Sequence, residues 1–551
     1  MKTLKSRIKI CAIACFLPAV FIAGRLFYLQ TFRHEELLTK AEKRVYTQTV
    51  PDTVRGKILD NKGVVLAESL RTYFVAVSKK NVNKKDALFD VLGQALSVSK
   101  AQLNKLWNSK GNFFYVKKEV TPLEYEKLEE LINKERVRGI EIEPHYTRIY
   151  PYDGIAQDIL GATNSRNSGL SGIELMYEDE LARRTKSKRV KKARRGGIIY
   201  DKEQTEFLDI ADVYLTIDSL GQYYAESTLK KYAEEYKVKS AFAIVQDPET
   251  GHILAAASSP ALAGRSLPLQ FVYEPGSPFK TIAVAAALDS GAVKPTDRFS
   301  MEDNKWKVDG ITIRDHQKKP SLDVKEILEV SSNIGAAKIS HGLGARTMYS
   351  YIKKFGFGVK SNISFLGEPS GILREHTRWK PIDTAKAGYG YTVAVTGVQL
   401  VTAYSAIANG GTLMQAHLID KIKFANGTEE VLSKPSKVRQ AISKKTSDQL
   451  KDLLVGVVEN GTGKGAKVKG YSVAGKTGTT EKMAQDGKYQ RSAHIASFCG
   501  FVPAYKPRFT ILVVLDEPER ALFGTASAKI FSEIAAKFLT LYAVEPDEEA
   551  R

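Results

Sequence analysis

The chain has 551 residues, 43% hydrophobic and 26% charged, a balance that excludes a disordered chain and at this length implies two or more domains. Its formal net charge is +20, but no nucleic-acid-binding motif and no interleaved aromatic residues accompany the basic ones, so nucleic acid is not an expected partner. Three cysteines, two of them in an N-terminal apolar stretch, and eight histidines without an HExxH pattern exclude a disulfide framework; no metal site and no cofactor is expected.

In chain order, Lys2, Lys5, Arg7 and Lys9 precede the apolar stretch Ile10 to Gly24, which continues past Arg25 as LFYLQTF. This reads as a single-pass anchor over residues 1–30, with the positive flank inside and the remainder translocated. A cleaved signal peptide is the competing reading, although no small-x-small site closes the apolar run. Residues 31–210 are mixed and heavily charged, with extended segments such as TYFVAVS (Thr72 to Ser78) and helical ones such as LEYEKLEELINKE (Leu123 to Glu135). Nine of the thirteen residues from Arg183 to Arg195 are Lys or Arg. The plain reading of that run is a solvated loop or hairpin; the functional one is contact with anionic lipid heads or an acidic cell-wall polymer.

From residue 211 the pattern changes. DVYLTID (Asp212 to Asp218) alternates as a strand, Ser219 to Tyr236 reads as a helix, and SAFAIVQ and HILAAASS read as two strands joined by the turn Asp247-Pro-Glu-Thr-Gly251. Near the end, SVAGKTGTT sits at the end of a strand, His494 to Pro503 and Arg508 to Pro518 read as two more, and Ala526 to Leu541 as a helix. These segments bracket a domain from 211 to 545, followed by a polar tail, 546–551.

Within it, YEPGSPFKTIAVAAAL (Tyr273 to Leu288) sets Ser277 three residues before Lys280 at the start of a small, apolar helix. Ser-x-x-Lys is weak by itself, but the pairing suits acyl transfer. A serine hydroxyl needs a base that is neutral at working pH, and burial beside another cation lowers a lysine pKa. Lys476 is the candidate second cation, and the Ser277 N–H at a helix start can stabilise an oxyanion. Ser331-Ser-Asn333 follows with a hydroxyl and an amide two residues apart, and Lys476-Thr477-Gly478-Thr479 with a cation, two hydroxyls and a glycine that admits a substrate backbone. Ser-x-Asn carries nothing alone; the ordered triple is specific.

The triple resembles that of the penicillin-binding protein and serine β-lactamase superfamily. Arg55-Gly-Lys-Ile-Leu-Asp60-Asn-Lys-Gly63-Val-Val-Leu-Ala67, RIYPYDGIAQDILG (Arg148 to Gly161) and GLSGIELMYEDEL (Gly169 to Leu181) are similar to the pedestal signatures of class B, monofunctional penicillin-binding proteins. AGYGYTVAVTGVQL (Ala387 to Leu400) and IANGG (Ile407 to Gly411) match further landmarks, and the septal, division-specific transpeptidase is the nearest in likeness. The resemblance implies a multidomain α+β or α/β fold: a transmembrane helix, an elongated mixed pedestal over 31–210, and a transpeptidase domain with a central antiparallel sheet flanked by helices.

It also implies roles. Ser277 attacks the carbonyl between the terminal D-alanines of a peptidoglycan stem peptide and Lys280 takes its proton. Ser331 relays a proton to the leaving D-alanine, and Asn333 holds the donor peptide. Lys476, Thr477 and Thr479 bind the substrate carboxylate, with Gly478 between them, while N–H groups of Ser277 and Thr479 form the oxyanion hole. Implied partners are stem peptides, a lipid-linked precursor, β-lactams as covalent inhibitors, the membrane, and a polymerising glycosyltransferase with other division proteins. The implied location is the bacterial cytoplasmic membrane, catalytic domain outside. An elongation-type transpeptidase, a β-lactamase, a β-lactam sensor and a division scaffold with a dormant site are the alternatives. Asn61 stands where the first signature has arginine, and Gly397 where a proline is common; both are expected to bear on partner contacts and acceptor binding rather than acylation.

Overall fold

A computed structural model describes residues 2–35, 37, 46–49, 54–152, 154–182, 188–192, 198–199, 210–261, 265–483, 489–520 and 524–547. The chain divides into two compact units, each assembled from separated stretches: residues 1–53, 71–146 and 184–208 in one, and 54–70, 147–183 and 209–551 in the other.

The first unit begins with one helix, Lys2–Thr31. Its side chains Phe16, Leu17, Phe21, Ile22, Leu26 and Phe27 are exposed. Among the described residues, however, no helix is long and apolar enough to cross a membrane. The unit's core gathers Val75 and Val77, Phe114 and Val116, and Leu88, Leu92, Leu103 and Leu128, from two strands and from the helices Lys85–Leu96, Lys100–Trp107 and Pro122–Glu135. The last of these starts where Thr121 and Glu124 form a capping box. Of the basic run, Lys188–Lys192 is a strand paired antiparallel with Tyr46–Thr49; the rest lies outside the described residues.

The second unit carries the labelled elements α1 (Ser219–Tyr236), β1 (Ser240–Gln246), β2 (Ile253–Ser259), α2 (Lys280–Asp289), α3 (Asn333–Lys354), α4 (Gly397–Ala408), β3 (Ala474–Met483), β4 (Tyr489–Val502), β5 (Phe509–Asp516) and α5 (Thr525–Leu541). The five strands form one antiparallel sheet in the order β2-β1-β5-β4-β3. Its central strands are buried on both faces, so β5 reads FTILVVLD without a polar alternation. Successive side chains still point to opposite sides. Phe242, Ile244, Leu512 and Val514 pack with α2 and α4, whereas Ala243, Val245, Ile511 and Val513 pack with Leu229 of α1 and Phe531 and Phe538 of α5.

Three of the signature segments meet in this unit. The Arg55 guanidinium pairs with Glu174 and, at 2.6 Å, with Glu178, while Arg148 Nε reaches Glu174 at 2.7 Å; Arg55, Arg148 and Glu174 are all buried. Removing one member strands a buried charge, which ordinarily costs about 3–5 kcal/mol. Gly397 has a packing reason: a Cβ there would lie 2.7 Å from Pro268 O and 2.9 Å from Ile244 Cδ1. The missing proline therefore answers to close helix packing on β1.

Candidate active site

Ser277 opens a 3-10 turn, Ser277–Phe279, that runs into α2. Gly276 precedes it at φ 62° and ψ −136°, a conformation glycine adopts without a Cβ penalty, and a Cβ would also meet Thr480 Oγ1 of β3 at 2.0 Å. The turn is held from behind, since Tyr404 OH of α4 donates to Pro278 O at 2.8 Å and shares a 2.9 Å hydrogen bond with Thr281 Oγ1. Every residue from Lys280 to Ala287 is buried, so the apolar run that made this helix legible also carries the Lys280 amine out of water.

Ser331 comes from a different local device. The helix Val324–Glu329 ends in a Schellman turn: Ser332 N–H donates to Ile327 O and Ser331 N–H to Leu328 O, with Ser331 at φ 59°. That left-handed position usually takes glycine, and a serine there costs on the order of 1 kcal/mol. Ser332 is then the N-cap of α3, accepting from Gly335 N–H at 2.9 Å. Asp315 reinforces this junction by accepting from Ser332 Oγ, Asn333 N–H and, at 3.0 Å, Ile334 N–H. Asn333 is half-buried, and its Nδ2 donates to Arg314 O at 3.3 Å.

These elements converge on one hydroxyl. Lys280 Nζ donates to Ser331 O and to Ser331 Oγ at 3.0 Å, Lys476 Nζ donates to the same Oγ at 3.0 Å, and Ser331 Oγ donates to Ser277 Oγ at 3.1 Å. Two acceptances and one donation use the full capacity of a hydroxyl. Both lysines are 0% exposed, whereas Ser277 and Ser331 are half-buried, so the amines lie behind the hydroxyls. Burial brings the Lys280 pKa down to about 7, against a smaller opposing pull from Asp315. Burial, and then the charge of Lys280, holds Lys476 well below the usual lysine range.

The third motif lies on β3, an edge strand, with Lys476 opposite Cys499, Thr477 opposite Phe498, Gly478 opposite Ser497 and Thr479 opposite Ala496. Lys476 also donates to Thr477 O at 3.2 Å. Thr477 Oγ1 shares a 2.7 Å hydrogen bond with Thr462 Oγ1, and Thr479 Oγ1 accepts from Gly524 N–H at 3.1 Å. A Cβ on Gly478 would meet Pro278 Cδ at 2.7 Å, so this glycine lets the strand close on the Ser277 turn. Ser277, Lys280, Ser331 and Lys476 thus form one hydrogen-bonded set, flanked by Asn333 on α3 and by Thr477, Gly478 and Thr479 on β3. Asp315, Tyr404 and Thr462 support the set and carried no sequence signal, because each acts from a segment distant along the chain.

A nucleophile linked to a buried amine of depressed pKa, beside a polar edge strand on which Thr479 is half-buried, is suited to forming and resolving an acyl-serine. Comparison with known proteins agrees. The penicillin binding protein transpeptidase domain matches residues 241–536, and the penicillin-binding protein dimerisation domain matches residues 52–215. Stage V sporulation protein D of Bacillus subtilis is 32% identical, aligned over 99% of this chain and 87% of its own. Peptidoglycan D,D-transpeptidase FtsI of Escherichia coli is 29% identical over 97% of this chain and 91% of its own. Among solved structures, a peptidoglycan synthetase from Bifidobacterium adolescentis superposes with a TM-score of 0.71 at 25% identity, covering 92% of this chain and 98% of that one. With both domains matched and the motif residues gathered around one hydroxyl, the chain belongs to the class B penicillin-binding protein transpeptidases.

Proposed function

We propose that this protein is a serine-type peptidoglycan D,D-transpeptidase that cross-links stem peptides during septal wall synthesis and is acylated by β-lactams. The observation that carries the reading is the line of hydrogen bonds from the buried Lys280 amine through Ser331 Oγ to Ser277 Oγ, at 3.0 and 3.1 Å. Ser277 attacks the carbonyl between the two terminal D-alanines, and its proton reaches Lys280 through Ser331 Oγ by rotation of hydroxyls over those distances. The N–H groups of Ser277 and Thr479 receive the oxyanion.

Lys476, Thr477 and Thr479 hold the terminal carboxylate of the substrate. Its negative charge draws a proton back onto Lys476, and the ammonium so formed keeps Lys280 neutral and able to act as a base. Ser331 passes a proton to the departing D-alanine while Asn333 holds the donor peptide. An amine of a neighbouring stem peptide then bonds to the acyl carbon as the carbon–oxygen bond to Ser277 breaks.

On this reading residues 31–210 are the pedestal, 211–545 the catalytic domain and 546–551 a polar tail. The exposed apolar side chains of Lys2–Thr31 support a membrane-held N-terminal helix, N-terminus inside and catalytic domain outside. The partners are the lipid-linked precursor, a polymerising glycosyltransferase and other division proteins. A second reading, wall synthesis in sporulation or elongation, draws on the relative named for sporulation. Labelling of the membrane-extracted chain with a fluorescent penicillin, beside Ser277→Ala, tests the site: the native chain takes up a slowly lost label and the variant none. A well-folded native chain that takes up no label overturns the reading.

A further inference from the structure

Glu274 lies three residues before the nucleophile, so its Cα is within about 11 Å of that of Ser277. Its carboxylate is half-buried and accepts from Thr392 N–H at 3.1 Å and from Tyr489 OH at 3.0 Å. Among the described residues no cation within ion-pair distance pairs with it; Lys386 acts on it only through its field. Tyr489 begins a row of three phenol rings near this carboxylate: Tyr391 stands edge-on to Tyr489 with centroids 5.3 Å apart, Tyr389 lies 5.4 Å from Tyr391, and both feel the charge of Glu274. All three are half-buried, so the group is reached from solvent.

The backbone here is held at a cost. Thr392, a β-branched residue, sits at φ 70°, and its buried Oγ1 has no hydrogen-bond partner. A carboxylate lined by electron-rich rings is the arrangement that takes up an organic ammonium group.

We infer that Glu274, with Tyr389, Tyr391 and Tyr489, is the site that captures the protonated amine of the acceptor before it attacks the acyl-Ser277. This rests on the transpeptidase reading. An ammonium nitrogen sheds two protons in becoming an amide nitrogen. One returns to Ser277 Oγ through Ser331 Oγ and Lys280, and the other passes to the Glu274 carboxylate and on to water.

The test is partition of the acyl-enzyme. With an N-acyl-D-alanyl thioester donor, the ratio of aminolysis to hydrolysis products does not depend on how fast Ser277 is acylated. Glycinamide serves as the protonated acceptor and hydroxylamine as a neutral nucleophile. Glu274→Gln lowers the glycinamide ratio about tenfold, as expected for loss of a charged hydrogen bond, and leaves the hydroxylamine ratio near native. Tyr391→Leu lowers the glycinamide ratio selectively by about threefold, which keeps the inference testable should Glu274→Gln fail to fold. Equal losses for both nucleophiles, or no loss, overturn the inference. Native chain that gives no acyl-enzyme at all would instead overturn the transpeptidase reading.

Discussion

Replacing Lys280 with methionine separates what the site does from what it costs the fold. A lysine pKa brought from 10.5 to about 7 corresponds to about 5 kcal/mol of disfavoured ammonium, in a side chain that is 0% exposed. The sign follows from the direction: the folded state binds the proton less tightly than the unfolded one. The penalty is therefore present in full below pH about 7 and fades as pH rises from there toward 10.5. Methionine fills similar volume, but Ser331 O loses its lysine donor, which costs about 1–3 kcal/mol. The net expectation is a variant more stable than native by about 2–4 kcal/mol at pH 6, shrinking to near parity at pH 9, with no penicillin labelling at either. Denaturant unfolding at the two pH values, read beside labelling, measures both quantities. A variant less stable than native at both pH values would refute the burial argument, and a labelled one would refute the role of the amine.

Three further outcomes follow from the same geometry. The acylation rate of the native chain climbs as pH rises through about 7 and levels above it, because only the neutral Lys280 accepts a proton; a stopped-flow penicillin-binding profile that is flat across that range contradicts this. Gly478→Ala sets a Cβ 2.3 Å from Ser497 Oγ and 2.7 Å from Pro278 Cδ, so β3 must shift off the nucleophile turn and acylation falls at least about tenfold, measured by the same assay. Asp315→Ala leaves two N–H groups at the start of α3 without their carboxylate, lowering stability by about 1–2 kcal/mol in unfolding experiments and slowing acylation through a displaced Ser331.

Segments with their own local signals form the elements that their residues predict. Ser219–Tyr236 forms a helix as expected because Asp218 caps it, accepting from Gly221 N–H at 3.0 Å, and Lys237 ends it in the left-handed conformation. The buried run after Ser277 is a helix for the same reason that it is apolar. The sequence predicts SVAGKTGTT at a strand end, whereas Lys476 stands near the start of one, since β3 runs on to Met483 through polar residues that carry no apolar alternation. The position of Ser331 in a left-handed turn and the service of Asp315, eighteen residues from the Asn333 N–H it caps, arise from tertiary contacts that no spacing rule encodes. At Gly397 the sequence shows only a departure from proline; the close approach to Pro268 O and Ile244 Cδ1 that leaves no room for a Cβ is a tertiary contact.

The central claim is that Ser277 joins two stem peptides through an acyl-enzyme. The most direct measurement follows a D-alanyl-D-alanine pentapeptide donor and an amine acceptor by mass spectrometry, with the native chain and Ser277→Ala. The account predicts a donor fragment bound to the peptide containing Ser277, one D-alanine released per amide formed with the acceptor, and neither in the variant. An adduct on another residue, or D-alanine released with no acceptor amide formed, would contradict it.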